Sequence, residues 1–247
     1  MKLVLADPKY FKESVAIISD LVSEVKFKAT VDGLEVVAMD PANVAMVVFK
    51  LLSSCFTQYE VSGSEEVTVN LNQVRQILRR AKNDDVLTLE TEENKFKIIL
   101  KSATKRAFSV PVLEADAKEQ RVPELRFPLS VEMDAQQLAD AIEDVSVVAE
   151  SVTLLGEPEK LSVKAEGELS KAFIEIQPNE NTSIRVDGED KHKAKYSLEY
   201  LRKMIAGSKL ADKVTLRFTN DYPLQLDYKV IDKLSLSFIL APRVDND

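Results

Sequence analysis

The chain has 247 residues, 45% of them hydrophobic and 30% charged, enough for one large domain or two of about 120 residues. No run of about 18 apolar residues occurs, so no membrane-spanning helix is expected. A single cysteine, Cys55, excludes an internal disulfide and fits a reducing, cytoplasmic setting. The net charge of −8 argues against nucleic acid when taken as a sum, but binding depends on where the charges lie.

The start, "MKLVLADPKYF", lacks the apolar core and small-residue cleavage site of a signal peptide. Four segments then show the apolar spacing of amphipathic helices, beginning near Asp7, Asn70, Asp134 and Ser197. Each of these residues is a good N-cap, because a short side-chain oxygen can accept from a free helix N–H. The steps from Asp7 to Asn70, from Asn70 to Asp134 and from Asp134 to Ser197 are almost equal. Alternating runs of β type lie between the helices: "VKFKATV", "LEVVAM", "VTVNL", "VLTLETE", "FKIILKS", "KLSVKAEG", "AFIEIQ", "VTLRFT", "LQLDYKV" and "LSLSFIL".

Laid on itself with Asn70 over Ser197, the chain matches its own second half. The stretch "NLNQVRQILRRAKNDDVLTL" falls on "SLEYLRKMIAGSKLADKVTL", so that Arg75 meets Arg202, Leu78 meets Ile205, Lys82 meets Lys209 and Asp85 meets Asp212. The same shift puts Asp7 on Asp134, Val15 on Ile142, and Leu34, Val36 and Ala38 on Leu161, Val163 and Ala165. Agreement of apolar phase is common by chance; agreement of charge, cap and apolar positions at one offset is not. The chain is expected to hold two copies of one domain, residues 1–112 and 128–247, each built of two helix-plus-strands units. Between them residues 113–127, "LEADAKEQRVPELRF", break both periodicities and read as an interdomain connecting loop.

Catalytic constellations are missing from the sequence. The lone histidine, His192, sits in "GEDKHKAK" and reads as a solvated loop residue, with no second histidine or cysteine near it to make a metal set. No Gly-rich phosphate loop and no GxSxG elbow occur. The pairs Asp84-Asp85 and Glu92-Glu93 fall where turns are expected, and turn solvation explains them better than acid–base work. Without tryptophan, and with 6% aromatics, a base-stacking platform is weak.

The helices carry the charge pattern. In 70–82, Leu71, Val74, Ile77, Leu78 and Ala81 form one buried stripe, while Arg75, Arg79 and Lys82 share another face and Arg80 adds a fourth base. Lys9 and Lys12 lie on the first helix; Arg202, Lys203 and Lys209 lie on the fourth, opposed only by Glu199. Two readings stay open for these bases, a solvated face or a phosphate-facing one, and the recurrence of Arg75/Arg202 and Lys82/Lys209 in both copies favours the second. The third helix has Asp134, Asp140, Glu143, Asp144 and Glu150 with no base, so it cannot hold phosphate by charge; Asp140 and Asp144, four apart, can pair with bases of another subunit.

The stretches "VVAMDPANVAMVVFKL" (36–51), "VNLNQVRQILRRAKNDD" (69–85), "VPEL" (122–125) and "LAPR" (240–243), in this order across the whole chain, resemble the sliding clamps of DNA replication, the proliferating cell nuclear antigen (PCNA) family, in its archaeal form. That resemblance implies an α+β two-domain clamp fold and a homotrimeric ring with helices inside and sheets outside. It implies a non-enzymatic, cofactor-free and metal-free processivity factor that encircles duplex DNA near the nucleoid. It also implies partners in replication and repair, namely DNA polymerase, clamp loader, flap endonuclease and DNA ligase, each docking through a short peptide. Lys9, Lys12, Arg75, Arg79, Lys82, Arg202, Lys203 and Lys209 would then face the DNA without reading its sequence.

The resemblance further implies that the subunit contact joins "KRAFSVPV" (105–112) to "LSKAFIEI" (169–176) of the next subunit, edge to edge. Ile77, Arg80, Arg106, Phe108, Val110, Asp140, Asp144, Phe173 and Ile174 would lie there, with Arg80, and Lys82 or Arg106, pairing to Asp140 and Asp144. Chain ends are usually frayed and polar, yet an apolar run closes this one; the resemblance makes it half of a peptide pocket. Met39, Val44, Met46, Val122, Pro123, Pro223, Ile239, Leu240, Ala241 and Pro242 would wall that pocket, and backbone groups of Arg121 and Arg243 would bind the peptide ends. Three alternatives stand beside the homotrimer: one subunit of a heterotrimeric clamp, a non-ring scaffold for nucleic-acid enzymes, and a hydrolase or nuclease, which would need clustered metal ligands.

Overall fold

A computed structural model of the chain describes residues 1–114, 120–188 and 190–243. It divides into two compact units: the first holds Met1–Pro41, Val47–Val122 and Val230–Leu236, the second Ala42–Met46, Pro123–Lys229 and Ser237–Asp247. Residues 115–119 of the expected connecting loop lie outside the described residues.

The first unit contains β1 (Lys2–Leu5), α1 (Lys9–Ile18), β2 (Glu24–Thr30), β3 (Gly33–Met39), most of β4 (Ala45–Leu52), β5 (Gln58–Glu60), β6 (Glu65–Asn70), α2 (Leu71–Leu78), β7 (Val86–Glu92), β8 (Lys95–Lys101) and β9 (Lys105–Pro111). One sheet runs β5-β1-β7-β8-β9 and ends in the open edge of β9; the second holds β4-β3-β2-β6. Period-two alternation explains both. In β2 Val25, Phe27 and Ala29 are buried while the lysines between them are not, and β8 repeats this with Phe96, Ile98 and Leu100. α1 turns Phe11, Val15 and Ile18 inward, and the Phe11 ring meets Phe27 at 5.8 Å, which in turn meets Phe96 at 6.0 Å. Burying each such ring contributes about 1.5–3 kcal/mol.

The second unit contains β10 (Leu129–Asp134), α3 (Ala135–Ser146), β11 (Ser151–Glu157), β12 (Lys160–Glu166), β13 (Lys171–Ile176), β14 (Ser183–Val186), β15 (His192–Ser197), α4 (Leu198–Met204) with a 3-10 turn over Ile205–Lys209, β16 (Lys213–Phe218), and most of β17 (Leu224–Val230) and β18 (Leu234–Leu240). One sheet runs β14-β10-β16-β17-β18; the other runs β13-β12-β11-β15 and leaves β13 as an open edge. Tyr196 packs edge-on to Phe218 at 6.4 Å, and Tyr228 edge-on to Phe238 at 6.3 Å.

The repeat is carried by the elements themselves. Under the shift that lays Asn70 on Ser197, β2, β3 and β6 return as β11, β12 and β15 with matching ends at both termini, 24–30 on 151–157, 33–39 on 160–166 and 65–70 on 192–197. The single offset does not persist to the end. β8 and β9 begin at Lys95 and Lys105, and their counterparts β17 and β18 begin at Leu224 and Leu234, two positions beyond where that shift would put them. Two extra residues in the Thr219–Pro223 connection account for this.

Three sequence expectations need correction. The first helix is capped by Pro8 and starts at Lys9; Asp7 lies one residue outside, where its Oδ1 accepts from the Lys9 amide at 2.9 Å. Of the four expected caps, Asn70 receives the capping bond, from the Gln73 amide at 3.1 Å, whereas Asp134 turns to Lys213 at 2.7 Å and Ser197 makes no side-chain cap. His192 is not a solvated loop residue: it opens β15, is 2% exposed, and its Nδ1 lies 3.0 Å from the Thr219 hydroxyl. His192, Ala194 and Tyr196 form the buried face of β15, with lysines alternating outward.

Candidate functional site

The helix bases divide by what surrounds them. In the first unit, Lys9, Arg79 and Lys82 are exposed and have no carboxylate partner among the described residues. Arg75 pairs with Asp20 at 2.7 Å, so one expected DNA-facing charge is largely spent within the chain. Lys12 is half-buried, its Nζ donating to the Ala81 carbonyl at 3.1 Å, and so closes the C-terminal end of α2 instead of reaching into solvent. In the second unit, Arg202 and Lys209 are exposed without such a partner, whereas Lys203 pairs with Glu199 at 3.1 Å and sits 5.3 Å from the Tyr200 ring. Five of the eight bases, Lys9, Arg79, Lys82, Arg202 and Lys209, therefore keep their field for an outside anion.

Asp85 is the residue that sequence reasoning misjudged most. It is 0% exposed, not solvated. The Arg106 guanidinium pairs with its Oδ2, which also accepts from the Lys82 amide at 2.6 Å. Arg106 foremost, then that amide, holds the carboxyl down at about 2. Arg106 Nη1 donates in addition to the Arg80 carbonyl at 2.9 Å. Arg106 is thus consumed inside its own unit, tying the end of α2 to β9, and it drops out as a partner for Asp140 or Asp144. Arg80 remains exposed, with no carboxylate beside it among the described residues.

The other expected contact residues sort by exposure. Ile77 and Phe108 are half-buried and line a shallow groove of about 400 Å³ between α2 and β9 with Gln73, Gln76 and Arg80. Val110 also borders this groove but is only 2% exposed, its side chain belonging to the core of its sheet. In the second unit Asp140 and Asp144 are exposed on α3; Gln136 donates to Asp140 at 2.7 Å. Phe173 and Ile174 project to opposite faces of the β13 edge strand, Phe173 58% exposed and Ile174 half-buried.

The apolar C-terminal run is anchored within the second unit: the Ala241 amide donates to the Val44 carbonyl at 2.9 Å. Ala241, Pro242, Pro223 and Val44 are half-buried and Pro123 is exposed, so they offer apolar surface. Leu240 is 0% exposed and is core, not pocket wall; Met46 and Ile239 keep only 4% and 8%. The Arg243 amide is already bonded to the Lys195 carbonyl at 2.7 Å and cannot bind a peptide end. Met39 is half-buried, and Arg121 and Val122 exposed, in the first unit.

Among the described residues no group of three His, Cys, Asp or Glu side chains could hold a metal ion, and no helix is long and apolar enough to cross a membrane.

Known proteins share this arrangement. Residues 2–118 match the family described as proliferating cell nuclear antigen, N-terminal domain, and residues 121–243 match its C-terminal domain. The chain is 36% identical to the DNA polymerase sliding clamp of Nanoarchaeum equitans, with 99% of this chain and 100% of that protein covered. It is 34% identical to the DNA polymerase sliding clamp of Pyrococcus furiosus, with 99% and 98% covered. The crystal structure of PCNA from Thermococcus kodakaraensis superposes with a TM-score of 0.90 at 28% identity, covering 98% of this chain and 99% of that one. Two domains of one α+β design, duplicated helices carrying outward bases, and full-length likeness to archaeal clamps lead to one conclusion: the chain belongs to the proliferating cell nuclear antigen family of DNA polymerase sliding clamps, non-enzymatic processivity factors of DNA replication.

Proposed function

We propose that three copies of this chain close into a ring around duplex DNA near the nucleoid, and that the ring tethers DNA polymerase, clamp loader, flap endonuclease and DNA ligase. The observation that carries this reading is the set of five bases on or just after the helices, Lys9, Arg79, Lys82, Arg202 and Lys209, that have no carboxylate partner among the described residues, in a chain of net charge −8. Helix cations that meet phosphate hold the duplex without reading bases, which permits sliding. Topological linkage then supplies retention, so direct affinity is weak and falls with salt.

Ring closure uses the open edge of β9 in one copy against the open edge of β13 in the next. Arg80 of one copy faces Asp140 and Asp144 of its neighbour, and Ile77, Phe108 and Ile174 supply apolar contact. Because complementary edges occur in one chain, the homotrimer is favoured over a heterotrimer of paralogues. Residues 113–127 connect domain 1–112 to domain 128–247. Val44, Pro123, Pro223, Ala241 and Pro242 present the apolar surface that receives partner peptides.

The test is light scattering after gel filtration over a dilution series. A stable species of three times the 27.6 kDa chain mass is expected; a monomer at every concentration would overturn the homotrimer. After loading, the ring should stay on circular plasmid and run off when the plasmid is linearised. Equal retention on both forms would overturn encirclement.

A further inference from the structure

The exposed face of the β13-β12-β11-β15 sheet carries a groove of about 600 Å³, bordered by Thr153, Leu155, Lys164, Phe173, Lys193 and Lys195. The corresponding face of the duplicated first unit is built differently. There, the face of β2 and β6 is closed by its own charges: Lys26 pairs with Glu66 at 3.0 Å, and Lys28, which lies directly opposite Glu66 in register, approaches it at 3.9 Å. In the second copy the pair Lys28 and Glu66 is replaced by Leu155 and Lys193, again directly opposite each other, and Lys26 and Thr68 by Thr153 and Lys195. The internal anion has become a cation, and an apolar side chain stands where a lysine stood.

The surrounding charges are accounted for by neighbours. Lys160 lies 3.4 Å from Glu175, Lys191 lies 3.7 Å from Glu157, and Lys171 pairs with Glu166. Lys164 and Lys193 have no carboxylate partner among the described residues. Lys164 instead lies 5.3 Å from the centroid of Phe173, a ring left 58% exposed. The groove thus combines cations without counter-charge, an exposed aromatic and an apolar floor at Leu155.

We propose that this groove docks a short acidic peptide segment of a partner protein, with carboxylates on Lys164 and Lys193 and an apolar side chain between Leu155 and Phe173. Charge complementarity selects the occupant. A nucleic-acid strand carries a charge at every nucleotide and would run onto Glu157, Glu166 and Glu175, which rim the same face. One or two carboxylates flanking an apolar residue meet only the bases in the groove. The lining residues all belong to the second unit, and Phe173 stands on β13, the strand whose edge ring closure uses.

The test uses a labelled peptide, Gly-Ser-Glu-Leu-Glu-Ser-Gly, its Gln counterpart and an oligothymidine, each titrated by fluorescence anisotropy into the full chain at low salt. Wild type should bind the acidic peptide and not the amide counterpart. The double variant Lys164→Glu, Lys193→Glu should weaken that binding by about tenfold or more while keeping its native mass, and amide shifts in wild type should centre on Thr153, Lys164 and Lys193. No binding of the acidic peptide, binding unchanged by charge reversal, or oligothymidine binding that the same substitutions abolish would each overturn the proposal.

Discussion

Arg106 on β9 grips Asp85 in the turn after α2, and the carboxylate it grips is shut away from solvent. The pair fixes the helix end to the edge strand of the same unit, and its strength depends on Asp85 staying ionised. The sign follows from the depressed value. Asp85 ionises near 3.8 in an unfolded chain and at about 2 when folded. Its contribution is therefore full above about 3.8 and lost as pH falls towards about 2. Asp85→Asn should lower the urea midpoint at neutral pH, and the gap from wild type should narrow across that acid window. Urea unfolding from neutral pH downwards checks this; a gap that stays constant to pH 2 would count against the pair.

Gly207 faces Tyr228 across the 3-10 turn after α4. A methyl group added at Gly207 would lie 2.4 Å from Tyr228 Cε2, and Tyr228 is itself fully buried against Phe238. A ring packed on its far side cannot retreat cheaply. Gly207→Ala should destabilise the protein by about 1–3 kcal/mol, although alanine favours helix elsewhere. Denaturant unfolding measures the loss, and an unchanged or higher midpoint would show that the turn can shift.

Much of this molecule is legible in its sequence where one period governs one element. β2, β3 and β8 alternate cleanly, whereas α2 stops at Leu78, so that Arg79, Arg80 and Lys82 stand in the turn after it instead of on the expected helix, and Arg75 within it is paired with Asp20. β15 is harder, because its buried face is His192, Ala194 and Tyr196 and its exposed face is lysine, which reads as a charged loop. Asp85 hides for a different reason: its partner is 21 residues away on another strand, and no local pattern links the two. Arg75 and Asp20 are separated in the same way, by 55 residues. Helical periodicity shows which face a side chain occupies, but not whether an acid from elsewhere has already neutralised it. The same limit applies to Leu240 and Val110, whose strands were readable but whose burial depends on the layer packed above them.

The division of the helix bases has a measurable consequence. Arg79, Lys82, Arg202 and Lys209 are exposed without carboxylate partners among the described residues, whereas Arg75 is held by Asp20. Replacing any one of the four by alanine should reduce the slope of log affinity for duplex DNA against log salt by about 1. Arg75→Ala should change it less, since Arg75 already has a counter-charge. Anisotropy with a duplex in rising salt measures each slope. If Arg75→Ala proved the most damaging of the five, the ion pair with Asp20 would have to open on DNA.

Subunit assembly offers the sharpest test of charge placement, because donor and acceptor lie on one chain. Arg80 is exposed at the end of α2, and Asp140 and Asp144 are exposed four residues apart on α3. If one copy's Arg80 meets the next copy's acids, Asp140→Lys with Asp144→Lys places like charges together and should shift the trimer towards monomer. Each exposed pair contributes only about 0–1 kcal/mol, so the shift should appear on dilution at low salt and fade at high salt. Adding Arg80→Glu to the same chain restores opposite signs across the contact and should recover the trimer. Light scattering over a dilution series reads all three proteins. Recovery distinguishes a direct pair from a general loss of stability, since a protein that merely folded worse would not be repaired by a second charge reversal. If the reversed chain stayed trimeric at the lowest concentration, the contact would rest on strand pairing alone; if it dissociated and Arg80→Glu failed to rescue it, Arg80 would not be the partner of these acids.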